Sequence, residues 1–167
     1  MHCVLCANYM RRAKNYKRNI QPDPIYGHEL VTKLINRAMF DGKRSVAQRQ
    51  VYKAFEEIAE KTNEDALRTF LKAIDNIKPS MEVRPRRIGG AAYQVPAPVR
   101  GPRKESLAIR WLIQTANSRP NAQYKLFSAK LAAEIMDASK GEGGAIAKKL
   151  DIERQAEANR AFAHFNW

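Results

Sequence analysis

Residues 81–99 read MEVRPRRIGGAAYQVPAPV, and the periodicity of the chain changes at this point. On both sides of this segment, apolar residues recur every three or four positions, which is typical of amphipathic helices. Inside it, charged and apolar residues alternate up to Gly89 and Gly90, and an extended stretch follows. This pattern indicates a β-hairpin with a glycine turn. We therefore predict a mainly α-helical protein with one inserted two-stranded hairpin arm at about residues 81–99.

Three prolines lie within this hairpin, at Pro85, Pro96 and Pro98. Proline cannot donate a backbone hydrogen bond and would damage a central strand, but both strands of a two-stranded ribbon are edges. A ribbon of this kind is marginally stable by itself. We therefore expect it to project from the helices and to gain order from a partner.

About six helices surround the hairpin in the sequence pattern. Their predicted bounds, in chain order, are from after 27 to about 40, from 45 onward, about 65–78, about 102–118, about 122–139, and from about 145 onward. Ser45 is the predicted N-cap of the second helix, because its hydroxyl can accept a free amide. The fourth helix is apolar on most sides and is expected at the centre of the core.

The first 22 residues contain no acidic residue, which predicts a flexible basic N-terminal tail before a single helical RNA-binding domain at residues 23–167. Cys3 and Cys6 form one C-x-x-C, which with a neighbouring histidine offers at most three of the four ligands of a structural zinc ion. We therefore predict no metal site. The alternative reading of residues 1–9 is sequence from an upstream start codon.

Positive charge is concentrated in two regions of the chain. The 167 residues include 30 lysines and arginines against 17 aspartates and glutamates, a formal net charge of +13. Residues 1–50 hold 10 basic and 3 acidic side chains, and residues 83–131 hold 10 and 1. A positive stripe on a near-neutral body is typical of a polyphosphate-binding protein. No apolar run approaches the roughly 20 residues of a membrane span, so we expect no membrane partner.

The hairpin region carries the strongest charge signal. Residues 83–104 contain six basic side chains and no acidic one. Such cations repel one another on a thin ribbon and become favourable when phosphates neutralise them. Tyr93 is expected either to stack on a base or to pack against Val83 or Val95. Trp111 is expected in the core.

Enzymatic signatures are missing from the sequence. It contains no phosphate-binding P-loop, dinucleotide fingerprint, nucleophile elbow or H-E-x-x-H motif, so we predict no catalytic activity and no cofactor. The glycine-rich segment at residues 141–149 has two equal readings. Either its free amides and lysines bind a phosphate, or it is a linker between helices.

The shape of the predicted molecule favours folded RNA over duplex DNA. A flexible arm, a projecting ribbon and scattered basic helix ends suit an irregular RNA surface, which proteins recognise through shape, phosphates and 2′-hydroxyls. A DNA-binding regulatory protein that reads a groove with its second helix is the alternative. The RNA hypothesis predicts a free monomer, and the DNA hypothesis predicts a dimer. An RNA-processing enzyme would need a carboxylate cluster or a metal site.

Five separated motifs resemble the bacterial form of small-subunit ribosomal protein seven. They are PDPIYG (22–27), DGKRS (41–45), EVRPRRIGGAAYQVP (82–96), LAIRWL (107–112) and AEANRAFAHFNW (156–167). The resemblance covers about residues 10–167 and implies a helical fold with a β-ribbon arm and no catalysis. It also implies a cytoplasmic location in the small ribosomal subunit, binding to the 3′ major domain of its RNA, and nucleation of head assembly.

The resemblance implies further partners and, with the charge pattern, a set of contact residues. The partners are exit-site tRNA, mRNA and neighbouring proteins of the head and platform. The expected ribosomal-RNA-binding residues are Arg11, Arg12, Lys14, Lys17, Arg18, Lys43, Arg44, Arg84, Arg86, Arg87, Arg100, Arg103, Lys104, Arg110, Lys148 and Lys149. The expected hairpin tip near tRNA and mRNA is Arg87, Ile88, Gly89 and Gly90. Fewer contacts are expected at Glu105 and Glu153, which depart from the family pattern.

Overall fold

The computed structural model describes residues 20–165. Its helices are α1 (Glu29–Ala38), α2 (Arg44–Thr62), α3 (Ala66–Ile77), α4 (Gly101–Ser118), α5 (Phe127–Lys140) and α6 (Gly144–Ala158). Two strands, β1 (Met81–Ile88) and β2 (Ala91–Pro98), lie between α3 and α4, and a 3₁₀ helix (Arg160–Phe165) follows α6. The prediction of a mainly helical fold with an inserted hairpin is confirmed.

The helices enclose an apolar core around α4 and α5. Helix α4 contacts α1, α3, α5 and α6, and α5 contacts α2, α3, α4 and α6. Leu112 of α4 and Ile135 of α5 are completely buried, as are Phe55 and Phe70, whose ring centroids lie 5.4 Å apart. Burying one such side chain contributes about 1.5–3 kcal/mol. Trp111 belongs to this core, as predicted.

The PDPIYG motif fixes the entry of the chain into α1. The buried Asp23 accepts hydrogen bonds through Oδ2 from the amides of Ile25 and Tyr26, both at 3.2 Å. This is the local turn that aspartate side chains favour. Its Oδ1 accepts from the Tyr52 hydroxyl at 2.9 Å, and the Tyr26 ring packs edge-on against Phe55 at 4.9 Å. The motif therefore ties the start of α1 to α2.

The predicted N-cap of the second helix is wrong. Helix α2 begins at Arg44, and Lys43 occupies the N-cap position without a side-chain cap bond. The reason is the turn before it, in which Asp41 and Gly42 both have positive φ, at 50° and 72°. The Lys43 amide donates to the Phe40 carbonyl at 2.9 Å, so the turn closes before Ser45 is reached.

The predicted start of the fifth helix near Ala122 is also wrong, because residues 121–123 form a turn and α5 begins at Phe127. Lys130 of α5 is buried and holds this turn. Its Nζ donates to the Arg119 carbonyl at 2.8 Å and to Asn121 Oδ1 at 2.6 Å. These bonds satisfy the Arg119 carbonyl and the Asn121 side chain in the turn. A helix that started at residue 122 would replace this turn and lose both bonds.

A buried carboxylate joins α4, α5 and α6. Glu134 of α5 is 1% exposed, and its Oε2 accepts from Arg119 Nε at 2.8 Å. Its Oε1 accepts from the amide of Ala145, in the first turn of α6, at 2.9 Å. Burial alone would lower the pKa of Arg119, but hydrogen bonds to Asp137 and Glu134 outweigh burial and raise this pKa above its ordinary value. Gly143 permits the approach, since a Cβ there would lie 3.3 Å from Glu134 Oε1.

This contact contradicts the phosphate-binding reading of residues 141–149. That reading needs free amides at the start of the last helix. The amide of Ala145 is buried and already donates to Glu134. The segment is a linker whose glycines bring α6 onto the carboxylate of α5.

Residues 20–165 carry neither a membrane-spanning helix nor a cluster of metal ligands. No helix in this range is long and apolar enough to cross a bilayer. The same range contains no group of three or more histidine, cysteine, aspartate or glutamate side chains arranged to hold a metal ion. Cys3 and Cys6 lie outside the described residues.

Replacing Glu134 with glutamine tests the buried network. We expect Glu134→Gln to lower the free energy of unfolding by about 3 kcal/mol, because the Arg119 guanidinium stays buried without its full charge partner. Urea unfolding at neutral pH measures this change. Glu142→Gln, at an exposed position in the adjacent linker, should change stability by less than about 0.5 kcal/mol. Equal effects of the two substitutions would contradict the assignment.

Candidate nucleic-acid interface

The hairpin is a regular antiparallel ribbon with a two-residue turn. Its eight pairs run from Met81 opposite Pro98 to Ile88 opposite Ala91. The turn residues Gly89 and Gly90 have φ values of 57° and 90°. Positive φ at both positions is what a type I′ turn requires, and glycine adopts it without steric cost. The predicted glycine turn is therefore present, and Arg87 is exposed next to it.

The root of the hairpin is built on Glu82. Glu82 is buried although it belongs to a two-stranded ribbon. Arg84 Nε donates to its Oε1 at 2.6 Å, and Arg103 Nε of α4 donates to its Oε2 at 3.2 Å. Burial alone would raise the pKa of Glu82, but the bonds from Arg84 and Arg103 outweigh burial and lower it. Arg84 therefore has a partner within the folded protein, which the charge pattern of the sequence did not reveal.

A second carboxylate fastens the hairpin root to α6. Glu153 Oε1 accepts from the backbone amide of Ser80 at 3.0 Å and from its hydroxyl at 2.9 Å. Burial raises the pKa of Glu153, but the two Ser80 bonds and the nearby charge of Lys149 together lower it. The residue before β1 is thus held by two hydrogen bonds to one carboxylate oxygen of α6.

Aromatic rings hold β2 against the 3₁₀ helix. Tyr93 packs on Phe162 and Phe165, with ring centroids 5.3 Å and 5.6 Å away. These rings reach Tyr93 because the chain after α6 folds back onto the ribbon. Contacts of this geometry contribute about 0.5–1.5 kcal/mol each.

Three basic residues cluster where α4 begins, directly after the hairpin. Arg100 is its N-cap without a side-chain cap bond, and Arg103 and Lys104 lie in its first turn, which contains no acidic residue. The N-terminus of a helix carries a partial positive charge, so cations there are unfavourable in the free protein. A bound anion removes this cost. The location therefore favours phosphate as a ligand.

The other predicted contact residues have different surroundings. Lys43 and Arg44 are exposed at the turn between α1 and α2. Lys149 Nζ donates to the Asn76 carbonyl at 2.8 Å, so this lysine also has a structural role. Lys148 Nζ lies 3.4 Å from Gln114 Oε1. Arg110 is half-buried and its Nε has no hydrogen-bond partner within residues 20–165.

The predicted basic tail cannot be compared with the structure. Arg11, Arg12, Lys14, Lys17 and Arg18 lie outside the described residues. Their role in binding RNA stays a prediction from charge and resemblance.

Sequence reasoning missed the residues that orient the hairpin. Glu82 stands one position before the acid-free segment and was counted as part of the alternating strand pattern. Glu153 lies 73 positions from Ser80, so no local pattern connects them. Phe162 lies in a short 3₁₀ helix that has too few residues for periodicity to reveal. The one signal in the sequence was an acidic residue, Glu82, next to several arginines. Its burial depends on tertiary contacts, which the sequence pattern does not show.

Known proteins are similar to this chain over nearly its full length. The sequence profile of the family described as Ribosomal protein S7p/S5e matches residues 10–160. Small ribosomal subunit protein uS7 of Carboxydothermus hydrogenoformans is 54% identical over 157 residues, which cover 94% of this chain and 99% of that relative. Its namesake in Thermotoga maritima is 53% identical over 158 residues, with 95% and 100% covered. That of Desulfovibrio desulfuricans is 52% identical over 151 residues, with 90% and 95% covered.

The Ser80–Glu153 contact should make stability depend on acid pH. A carboxyl group whose pKa is lowered by folding stabilises the protein above its unfolded pKa, and this contribution is lost as pH falls through the folded pKa. We expect the unfolding free energy of the wild type to fall more steeply below pH 4.5, the ordinary value, than that of Glu153→Gln. Urea unfolding at a series of pH values measures both profiles. Glu157→Gln, exposed on the same helix, should keep the wild-type profile, and a wild-type profile for Glu153→Gln would refute the contact.

Proposed function

Because the chain belongs to the ribosomal protein S7p/S5e family, we propose that it binds the 3′ major domain of small-subunit ribosomal RNA and nucleates head assembly. The protein is a structural component of the bacterial small ribosomal subunit, in the cytoplasm, and it is not an enzyme. Ribosomal RNA and neighbouring ribosomal proteins are therefore its partners. The finer assignment to one RNA domain is the proposal.

The observation that carries the proposal is the basic surface at the hairpin and the start of α4. Arg84 and Arg103 are about half exposed although both contact Glu82, and Arg87 and Arg100 are exposed nearby in sequence. A ribbon projecting next to an uncapped helix N-terminus offers phosphate contacts at several heights and angles. Irregular folded RNA presents phosphates in that manner, whereas duplex DNA presents them on a regular helix.

The DNA-binding alternative has less support, because a polar side chain of its candidate recognition helix is bound within the protein. That hypothesis requires polar side chains of α2 to be free to read base edges. Gln48 of α2 instead donates to the Tyr52 hydroxyl at 2.6 Å, and the same hydroxyl donates to Asp23. These bonds connect Gln48 and Tyr52 of α2 to Asp23, which precedes α1.

We further propose that the hairpin tip, Arg87 to Gly90, lies near the exit-site tRNA and the mRNA path. Glu82 fastens the root of the ribbon to the helical body, and Tyr93, opposite Arg86, fastens it closer to the tip. The turn at Gly89 and Gly90 is exposed and lies two residue pairs beyond Tyr93. The small glycine turn permits close approach of a nucleic-acid backbone, and Arg87 supplies charge beside it.

Competition binding tests the main proposal. We expect the protein to prefer a transcript of the 3′ major domain over unrelated structured RNA and over duplex DNA of equal length by roughly a hundredfold or more. All three ligands should weaken steeply as salt rises, because phosphate contacts release counterions. Filter binding across a salt series measures both quantities. Equal competition by all three would leave general phosphate binding and remove the assignment to this domain.

The tip proposal has its own test in reconstituted small subunits. We expect Arg87→Ala to weaken exit-site tRNA binding several-fold and to reduce the magnitude of its salt slope by about 1, as loss of one phosphate contact does. Arg68→Ala, an exposed arginine on α3, is the matched control and should bind tRNA as the wild type does. Indistinguishable variants would remove Arg87 from the tRNA surface.

A further inference from the structure

Arg84 and Arg103 come from different elements, and a single carboxylate holds both. Arg84 lies in β1, and Arg103 lies in the first turn of α4. Both contact Glu82, Arg84 through Oε1 and Arg103 through Oε2. The carboxylate is 8% exposed, whereas the arginine side chains are 58% and 47% exposed. The arrangement therefore has a buried centre and two cationic groups that reach solvent.

Each guanidinium group has donors that do not contact Glu82. Arg84 contacts Glu82 through Nε and Nη2, and its Nη1 has no partner in the part of the chain that the structure describes. Arg103 contacts Glu82 through Nε alone, and within residues 20–165 neither of its Nη groups has a partner. Guanidinium groups bind phosphate through such paired N–H donors. Two guanidinium groups facing one carboxylate leave a net charge of +1.

We propose that Arg84 and Arg103 together form one binding site for a single RNA backbone phosphate, with Glu82 as the residue that positions both. This inference rests on the proposed function and deepens it, because it assigns one shared phosphate to two residues. A phosphodiester carries one negative charge and balances the +1 of the three side chains. Arg103 lies in the first turn of α4, so the uncapped N-terminus of this helix adds its partial positive charge.

Glu82 acts by preorganisation in this proposal. Free arginine side chains lose rotamer freedom when they bind, and this loss weakens binding. A carboxylate that already orients them removes much of that loss before RNA arrives. Glu82 therefore strengthens binding to a matching phosphate although its own charge repels RNA. From charge alone, Glu82 would be expected to weaken RNA binding.

Substitution of Glu82 separates these two effects. We expect Glu82→Gln to weaken binding to the 3′ major domain transcript about 2- to 10-fold, while its affinity for unrelated RNA is unchanged or higher. Glu105→Gln is the matched control, because it removes the same charge two residues from Arg103 on α4. Glu105 pairs with Lys33 at 2.8 Å and not with either arginine of the proposed site. The control should bind at least as tightly as the wild type. Tighter domain binding by Glu82→Gln would overturn the positioning role.

The number of phosphates is read from the salt slope. Each phosphate contact contributes about 0.7–0.9 to the magnitude of this slope. If one phosphate is shared, Arg84→Ala, Arg103→Ala and their combination each lower the slope by this same amount, and the affinities of the single and double variants agree within about twofold. Two separate phosphates would give additive losses and overturn the proposal. The double variant also carries Glu82→Gln, so no buried carboxylate lacks a partner.

Two controls keep the outcomes distinct. Circular dichroism and urea unfolding of each variant show whether the helices remain folded, and the Glu82→Gln and Glu105→Gln comparison still decides the positioning role if the combined variant unfolds. The slopes are measured on the domain transcript and on unrelated RNA. A wild type without preference for the domain transcript refutes the proposed function, whereas additive slopes on either RNA refute the shared phosphate.

Discussion

The buried ion pair between Glu134 and Arg119 is the interaction on which the arrangement of the carboxyl-terminal helices depends. One oxygen of Glu134 receives the guanidinium at the end of α4, and the other receives an amide at the start of α6. Removing one partner of such a pair is costly because the remaining charge stays away from water. Helix α6 in turn supplies Glu153 to the root of the hairpin. The direction in which the arm projects therefore follows from a contact inside the helical body.

Acidic residues in this basic protein organise the cations that surround them. Glu82 holds two arginines from separate elements, and Glu105 pairs with Lys33 between α4 and α1. With a net charge of +13, the protein has strong repulsion between like charges when no RNA neutralises it. Carboxylates at these points reduce repulsion between like charges in the free protein. They leave the outer donors of the arginines available.

The sequence predicted the elements whose signals are local. Alternation around two glycines is a property of consecutive residues, so it predicts the hairpin together with its turn. Periodic apolar faces predict helices α1 to α5, and the glycine-rich break predicts the start of α6. The start of α5 was wrong because Lys130, eight residues beyond the predicted start, holds the preceding turn. The charge pattern identified the hairpin arginines as candidate contacts but could not reveal Glu82 as their common partner. Pairing of Ser80 with Glu153 depends on how α6 packs, and no residue spacing in the sequence predicts that packing.

The in-register pairing of the hairpin limits how its length can vary. Successive side chains of a strand point to opposite faces, so loss of one residue from β1 would turn every later side chain over. Arg87 would then exchange faces with its neighbours, and the glycine turn would no longer close the ribbon. Removal of two successive pairs, Arg86 with Tyr93 and Arg87 with Ala92, keeps the faces and the hydrogen-bonding pattern of the remaining pairs and shortens the arm by about 6.8 Å. The arm can therefore change its reach only in steps of two residues per strand, and viable insertions or deletions in this segment should be matched on both strands.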